Sequence, residues 1–239
     1  MNLIVTSREE AARLAAEQYA VLLSQKPKST LGFATGSTPL ALYAELARAY
    51  QRKELSFSQA TSFNLDEYVG LEETNPQSYR YFMNQNLFSK IDLPLERTHV
   101  PSGKTASAAE ADEYESLIQA AGGIDLQLLG IGQNGHIGFN EPGTPFGSTT
   151  HLVHLSESTR RANARFFASM DEVPTDAVSM GIKTVMNARA ILLFAQGDIK
   201  ANIIREAIYG PVTEAVPASV LQLHPNVTLY LDADAAKHL

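Results

Sequence analysis

Within the 239-residue chain, the stretch DLQLLGIGQNGHIGFNEPGTP, residues 125 to 145, gathers side chains suited to proton transfer. His136 lies two residues after Asn134 and five before Glu141. A histidine with polar partners moves protons near neutral pH, so this stretch reads as a catalytic loop. Gly130, Gly132 and Gly135 also match G-x-G-x-x-G by letter. A dinucleotide site needs more than the letters: a strand, the three glycines, then a helix whose N-terminus faces the pyrophosphate. Here HIGFNEPGTPFGST carries glycine, proline and asparagine where that helix should propagate, which argues against a nucleotide. A glycine-rich turn with no ligand is the plain alternative.

Three further clusters carry chemistry. FATGSTP sets Gly36, Ser37 and Thr38 between a strand and a helix. Free backbone N–H groups and the helix dipole there favour an anion such as phosphate, although an ordinary capped turn has the same composition. No G-K-[ST] follows, so it is not a Walker loop. FNLDEYVG ends an apolar strand in Asp66 and Glu67. Alternation along a strand sends neighbours to opposite faces, so one of the two acids lines a cleft. A carboxylate so placed can take a proton from a carbon next to a carbonyl; a surface turn acid is the bland reading. The basic candidates are Arg165, in ANARFF, and Lys200, near the start of a helix after a strand. Each competes with the reading of a solvated charge, and Arg160 and Arg161 compete with Arg165. His151 and His154 are three apart on a predicted strand and face opposite ways, while His99, His224 and His238 are isolated, so no metal site is assigned.

These clusters need a scaffold that brings them together. Short apolar runs alternate with amphipathic stretches. LIV precedes a helix capped by Ser7, with Glu10 three residues on. TLGFATG, ATSFNLDEY, IDLQLLGIG, HLVHLS, ARAILLFAQG and VTLYLD read as strands. STPLALYAELARAYQRK, NPQSYRYFMNQNLFSKI, TASAAEADEYESLIQAAGG, STRRANARFFASM and DIKANIIREAIYG read as helices. This alternation predicts an α/β fold: a doubly wound, mainly parallel sheet with helices on both faces, in a single domain over 1–239. Ligands in such folds sit beyond the carboxyl ends of the strands, where ATGST, NLDEY, GIGQNGH and AQGDIK all fall.

Composition narrows the function. The net charge is −7 and no lysine- or arginine-rich run occurs, which argues against nucleic acid. An anionic substrate must then meet a local basic pocket rather than a global field. There is no cysteine, which removes disulfides, thiolate metal sites and cysteine nucleophiles and fits a cytoplasmic protein. The N-terminus lacks a signal-peptide pattern, and no apolar run approaches the roughly 18 residues of a membrane span.

Taken in order, ATGSTP, FNLDEYVGL, SYRYFM, GIGQNGHIGFNEPG, TRRANARFF and LQLHP resemble the segments of the glucosamine-6-phosphate deaminase family, over nearly the whole chain. The resemblance implies a cofactor-free reaction in which glucosamine 6-phosphate and water give fructose 6-phosphate and ammonia. It implies that His136 opens the sugar ring, that Glu141 and Asn134 orient and tune the imidazole, and that Asp66 carries a proton from carbon 2 to carbon 1. The Gly36, Ser37 and Thr38 turn, with Arg165 and Lys200, would hold the phosphate, and residues 151–180 would form a lid. Two departures stand out. Asn134 occupies a position where some members carry aspartate. His151 and Val153 occupy positions where allosteric members carry arginine and lysine for an effector phosphate, and no counterpart of those members' extended C-terminal tail is expected after LYLDADAAKHL. A non-allosteric monomer is therefore expected. The rival readings are a 6-phosphogluconolactonase-like hydrolase, from which DEYVG and GFNEP depart, and a non-catalytic sugar-phosphate sensor.

Overall fold

The computed structural model describes residues 1–105, 107–164 and 167–239. In chain order its strands are β1 (Asn2–Val5), β2 (Thr30–Phe33), β3 (Thr61–Asn64), β4 (Asp66–Tyr68), β5 (Thr98–His99), β6 (Leu126–Gly130), β7 (His151–His154), β8 (Asp176–Ser179), β9 (Ile191–Ala195) and β10 (Val227–Leu231). The helices are α1 (Arg8–Gln25), α2 (Leu40–Gln51), α3 (Tyr79–Asn86), α4 (Ala108–Ala120), α5 (Glu157–Asn163), α6 (Ile182–Met186) and α7 (Ala201–Tyr209). Among the described residues, seven strands form one sheet in the order β1-β10-β9-β6-β2-β3-β5. Every pairing in it is parallel. β4, β8 and β7 make a small antiparallel sheet.

The central strands β2, β6, β9 and β10 are apolar runs, as a sheet covered on both faces demands. Phe33 on β2 stacks on Tyr19 of α1 and meets Tyr43 of α2 edge-on. Phe63 on β3 pairs in register with Gly32, one residue earlier on β2, so it faces the opposite side. There it packs edge-on against Tyr114 of α4. These two sets of ring contacts show helices on both faces. Phe33 and Tyr43 have no exposed surface, and truncating a buried phenylalanine costs about 3–5 kcal/mol.

Local signals set the helix ends. Ser7 caps α1, its hydroxyl accepting from the Glu10 N–H, as the sequence predicts. Ser107 and Glu110 form a reciprocal capping box on α4, and Gly122 and Gly123, both with positive φ, end it. Three segments differ from expectation. STRRANARFFASM is α-helical only through Asn163 among its described residues. ATSFNLDEY is not one strand. The Leu65 N–H still bonds Phe33 O of the large sheet, while the Leu65 carbonyl accepts from Met180 N of the small-sheet region. The chain changes sheets within one residue, dividing β3 from β4. NPQSYRYFMNQNLFSKI is helical only from Tyr79 to Asn86; Leu87 leaves helical geometry and a single tight turn follows. Among the described residues, no helix is long and apolar enough to cross a membrane.

Candidate active site

The sheet order explains why distant motifs meet. β9, β6, β2 and β3 are consecutive neighbours. Their carboxyl ends therefore present Lys200, the His136 loop, the Gly36–Thr38 turn and Asp66 side by side. The chain winds outward from β2 toward β3 and β5, and from β6 toward β9 and β10, beyond which the first strand, β1, forms the edge. The crevice between β2 and β6 is the switch point at which such sheets bind ligands.

No helix follows β6; residues 131–150 form an irregular loop. The imidazole of His136 lies directly on Gly132, where a Cβ would come within 2.2 Å of its ring atoms. Gly135 adopts a left-handed backbone, φ 86°, and is packed under Val216. The glycines thus serve a histidine and not a pyrophosphate. His136 Nδ1 lies 2.7 Å from Asn134 Oδ1, and Asn134 Nδ2 donates to Glu141 Oε2 at 2.6 Å. Those contacts settle the tautomer. A carboxylate only accepts, so the Asn134 NH₂ must face Glu141 and its carbonyl oxygen must face the ring. His136 therefore carries its proton on Nδ1, leaving the Nε2 lone pair for chemistry. Glu141 Oε1 lies 3.7 Å from Nδ1, beyond the intervening amide. Burial lowers the His136 pKa below 6.5, Glu141 raises it in part, and Lys200 lowers it further. The ring is neutral at pH 7.

Asp66 is buried on β4, opposite Ser179 of β8. The Ser179 hydroxyl accepts from the Phe139 N–H at 3.1 Å, tying the histidine loop to the same strand pair. A methyl group on Gly138 would lie 3.7 Å from Asp66 Oδ2, so the loop backbone passes close over the carboxyl. Burial, and then the neighbouring charge of Glu67, push the Asp66 pKa up to about 8. Glu67 has the other task that alternation predicts. Its carboxylate accepts from the N–H groups of Tyr68, Tyr79 and Arg80 and from the Ser78 hydroxyl, all within 3.0 Å, and so anchors the N-terminus of α3.

Lys200 closes the basic side. Its Nζ donates to Ile131 O at 2.6 Å, one residue before the glycine under His136. Gly36 has a left-handed φ of 95° and leads, through Ser37 and Thr38, into α2, whose first turn has no side-chain cap. Arg8 Nη2 donates to Ser37 O at 2.8 Å and fixes the outer side of that turn. Arg165 lies outside the described residues. Of its competitors, Arg160 is engaged with the carbonyls of Met170 and Val173, and Arg161 pairs with Glu157. His151 and Val153 sit on β7, where the His151 ring contacts Thr149 O and Val153 packs against the Tyr68–Phe139 cluster.

Sequence reasoning missed several supports. Thr159 on α5 donates its hydroxyl to Glu141 Oε1. Ser179 lies on an unassigned strand of four residues, DAVS. Glu214 braces the loop twice: its carbonyl accepts from Gly143 N and its side chain from Phe146 N. Thr159 opens the segment TRRANARFF, but nothing in that segment marks it as a partner of Glu141, and Ser179 and Glu214 belong to no motif; each acts across 18 to 71 residues of chain, so spacing offered no signal.

The fold and the relay define a doubly wound α/β protein that presents a neutral histidine and a buried carboxyl at the carboxyl edge of its sheet. The family of glucosamine-6-phosphate isomerases and 6-phosphogluconolactonases matches residues 6–230, and the chain belongs to it. A curated glucosamine-6-phosphate deaminase of Lachnoclostridium phytofermentans is 56% identical over 225 residues, 94% of this chain and 95% of its own. Another, of Clostridium perfringens, is 50% identical and covers 100% of both chains. A solved monomeric glucosamine-6-phosphate deaminase superposes with a TM-score of 0.97 at 45% identity, over 100% of both chains. The 6-phosphogluconolactonase of Thermotoga maritima, at 19% identity and a TM-score of 0.75, shares the fold.

Proposed function

We propose that this chain is a glucosamine-6-phosphate deaminase, converting glucosamine 6-phosphate and water to fructose 6-phosphate and ammonia. The observation that carries the reading is the His136–Asn134–Glu141 relay beside the buried Asp66. His136 Nε2 takes the proton of the anomeric hydroxyl and returns one to the ring oxygen as the bond from that oxygen to carbon 1 breaks. Asp66 then removes the proton from carbon 2, the substrate ammonium gives up one proton as the carbonyl oxygen takes one up, and an enolamine forms. Asp66 delivers its proton to carbon 1, giving an imine at carbon 2. Water adds there and ammonia leaves. Each step moves protons and needs no redox partner. One carboxylate serves both carbons because they are adjacent, and a pKa near 8 makes it a stronger base than an ordinary aspartate. A substrate ammonium beside it favours the ionised form.

The phosphate falls to the backbone of Gly36, Ser37 and Thr38 at the start of α2, to Lys200 and to Arg165. Remote binding energy of this kind positions the reacting carbons. Residues 151–180 act as a lid, and both sheets belong to one domain. The protein acts as a cytoplasmic monomer, a reading supported by its cysteine-free composition and its likeness to the monomeric deaminase. Incubation with glucosamine 6-phosphate tests the reading: ammonia and fructose 6-phosphate should appear in equal amounts. Hydrolysis of 6-phosphogluconolactone with no ammonia release would replace it with the lactonase reading.

A further inference from the structure

The hydrogen-bond chain at His136 does not end at Glu141. Glu141 accepts from Asn134 on Oε2 and from Thr159 on Oε1. Thr159 belongs to α5, which follows the catalytic loop by way of β7, and its side chain is buried. Its own oxygen lies 3.0 Å from the Ser156 hydroxyl, the N-cap of α5. The directions are fixed by chemistry. Glu141 as a carboxylate can only accept, so the Thr159 hydroxyl spends its proton there and its oxygen accepts from Ser156. The chain runs Ser156 to Thr159 to Glu141, and His136 to Asn134 to Glu141, with the carboxylate as the common acceptor. Thr159 is the third residue of α5, and its hydroxyl joins the cap to the relay, accepting from Ser156 and donating to Glu141.

We infer that Thr159 is a positioning residue for the catalytic histidine, acting through Glu141. The inference deepens the deaminase reading and rests on it. With the hydroxyl in place, Oε1 is satisfied, Glu141 stays turned toward the Asn134 amide, and the imidazole sees a neutral oxygen. Without it, the only direct donor to Oε1 among these contacts is lost. The carboxylate then turns toward Nδ1, already 3.7 Å away, and pairs with the ring. An adjacent carboxylate favours the imidazolium. The charged groups facing the ring are Glu141, from the loop, and Lys200, from the turn before α7; a change at Thr159 adds or removes no charge and acts only through the orientation of Glu141.

The test uses Thr159→Val, which removes the hydroxyl and keeps the shape, and Thr159→Ser, which keeps the hydroxyl. The His136 titration is followed by NMR of the ligand-free full chain, its signal assigned by its loss in His136→Gln, and steady-state kinetics are measured with glucosamine 6-phosphate. In Thr159→Val the titration should move up by ~0.5–1 pH unit, part of the ~1–3 units that an adjacent opposite charge produces, because Glu141 already lies near the ring. The kcat should fall about tenfold, a fraction of what a general acid–base supplies, while KM stays within about twofold. Thr159→Ser should restore both. If the valine chain does not fold, Thr159→Ala supplies the same readouts. An unchanged titration and kcat in the folded variant overturns the inference, as does a serine variant as impaired as valine. Absence of ammonia release by the wild type overturns the parent reading instead, and the titration shift is still measured without substrate.

Discussion

Asp66→Asn should inactivate the protein and stabilise it, and the stabilisation should grow with pH. The folded state raises the Asp66 pKa from 3.8 to about 8, chiefly through burial. A group bound to its proton more tightly when folded stabilises fully below the unfolded pKa. That contribution is lost as pH rises toward the folded value. At about 1.36 kcal/mol per pH unit, the upper bound is ~2 kcal/mol lost by pH 5, ~4 by pH 7 and ~6 above pH 8. Relaxation and water entry reduce such penalties in real proteins, so ~2–4 kcal/mol at pH 8 is the working figure. Asparagine has nearly the same shape and no charge to bury. The difference in unfolding free energy, variant minus wild type, should therefore rise steadily from pH 5 to pH 8. In a chain of this size that is ~4–16 °C of added melting-temperature difference. The amide cannot accept the carbon-2 proton, so turnover and exchange of that proton vanish while substrate still binds. A stability difference independent of pH, or one that shrinks as pH rises, would refute burial of an ionisable Asp66. The same titration makes kcat/KM of the wild type climb with pH until about 8.

Asn134→Asp places a carboxylate against His136 Nδ1 and should move the His136 titration, followed by NMR of the ligand-free chain, up by ~1 pH unit; an unmoved titration would remove Asn134 from the relay. Lys200→Ala and Arg165→Ala should each raise KM by roughly 10- to 150-fold, the equivalent of one charge-assisted bond of about 1.5–3 kcal/mol. Unchanged constants in both would move the phosphate site elsewhere. Gly132→Ala should cut kcat by roughly 10²–10⁴, because the added methyl occupies the space of the imidazole; a kcat within about twofold of wild type would contradict the ring's position. Saturation should be hyperbolic, indifferent to N-acetylglucosamine 6-phosphate, with a monomer mass in sedimentation. Val153 is packed among apolar side chains and offers no charge to an effector phosphate. Sigmoidal kinetics abolished by that effector would show otherwise.

The strands β2, β6, β9 and β10 were legible because each is an apolar run next to turn residues, and the carboxyl ends of β2, β3, β6 and β9 held the candidate residues. The glycine motif was legible in the negative sense: proline and glycine after His136 ruled out the nucleotide helix, and the loop is irregular. The side-by-side order of four strand ends was not written in any one segment; it follows from β6 pairing with both β2 and β9. β5 was missed because two residues carry no periodicity, and β8 because DAVS holds only two apolar residues between polar ends. The break at Leu65 was missed because an apolar residue inside an apolar run gives no sign that its carbonyl bonds another sheet. The division of labour between Asp66 and Glu67 follows strand alternation. Which acid faces the loop depended on Ser78 and α3 capturing Glu67, contacts made across eleven to thirteen residues.

The central claim is that Asp66 carries one proton between adjacent carbons of an amino-sugar phosphate, and running the reaction in D₂O tests it most directly. Glucosamine 6-phosphate is incubated with the protein and the fructose 6-phosphate formed is analysed for deuterium at carbon 1. Ammonia should equal product, with deuterium at carbon 1 to the extent that the Asp66 proton exchanges with solvent and carbon-2 hydrogen otherwise retained there, and none of this with Asp66→Asn. Ammonia and labelled product formed at a wild-type rate by Asp66→Asn would contradict it.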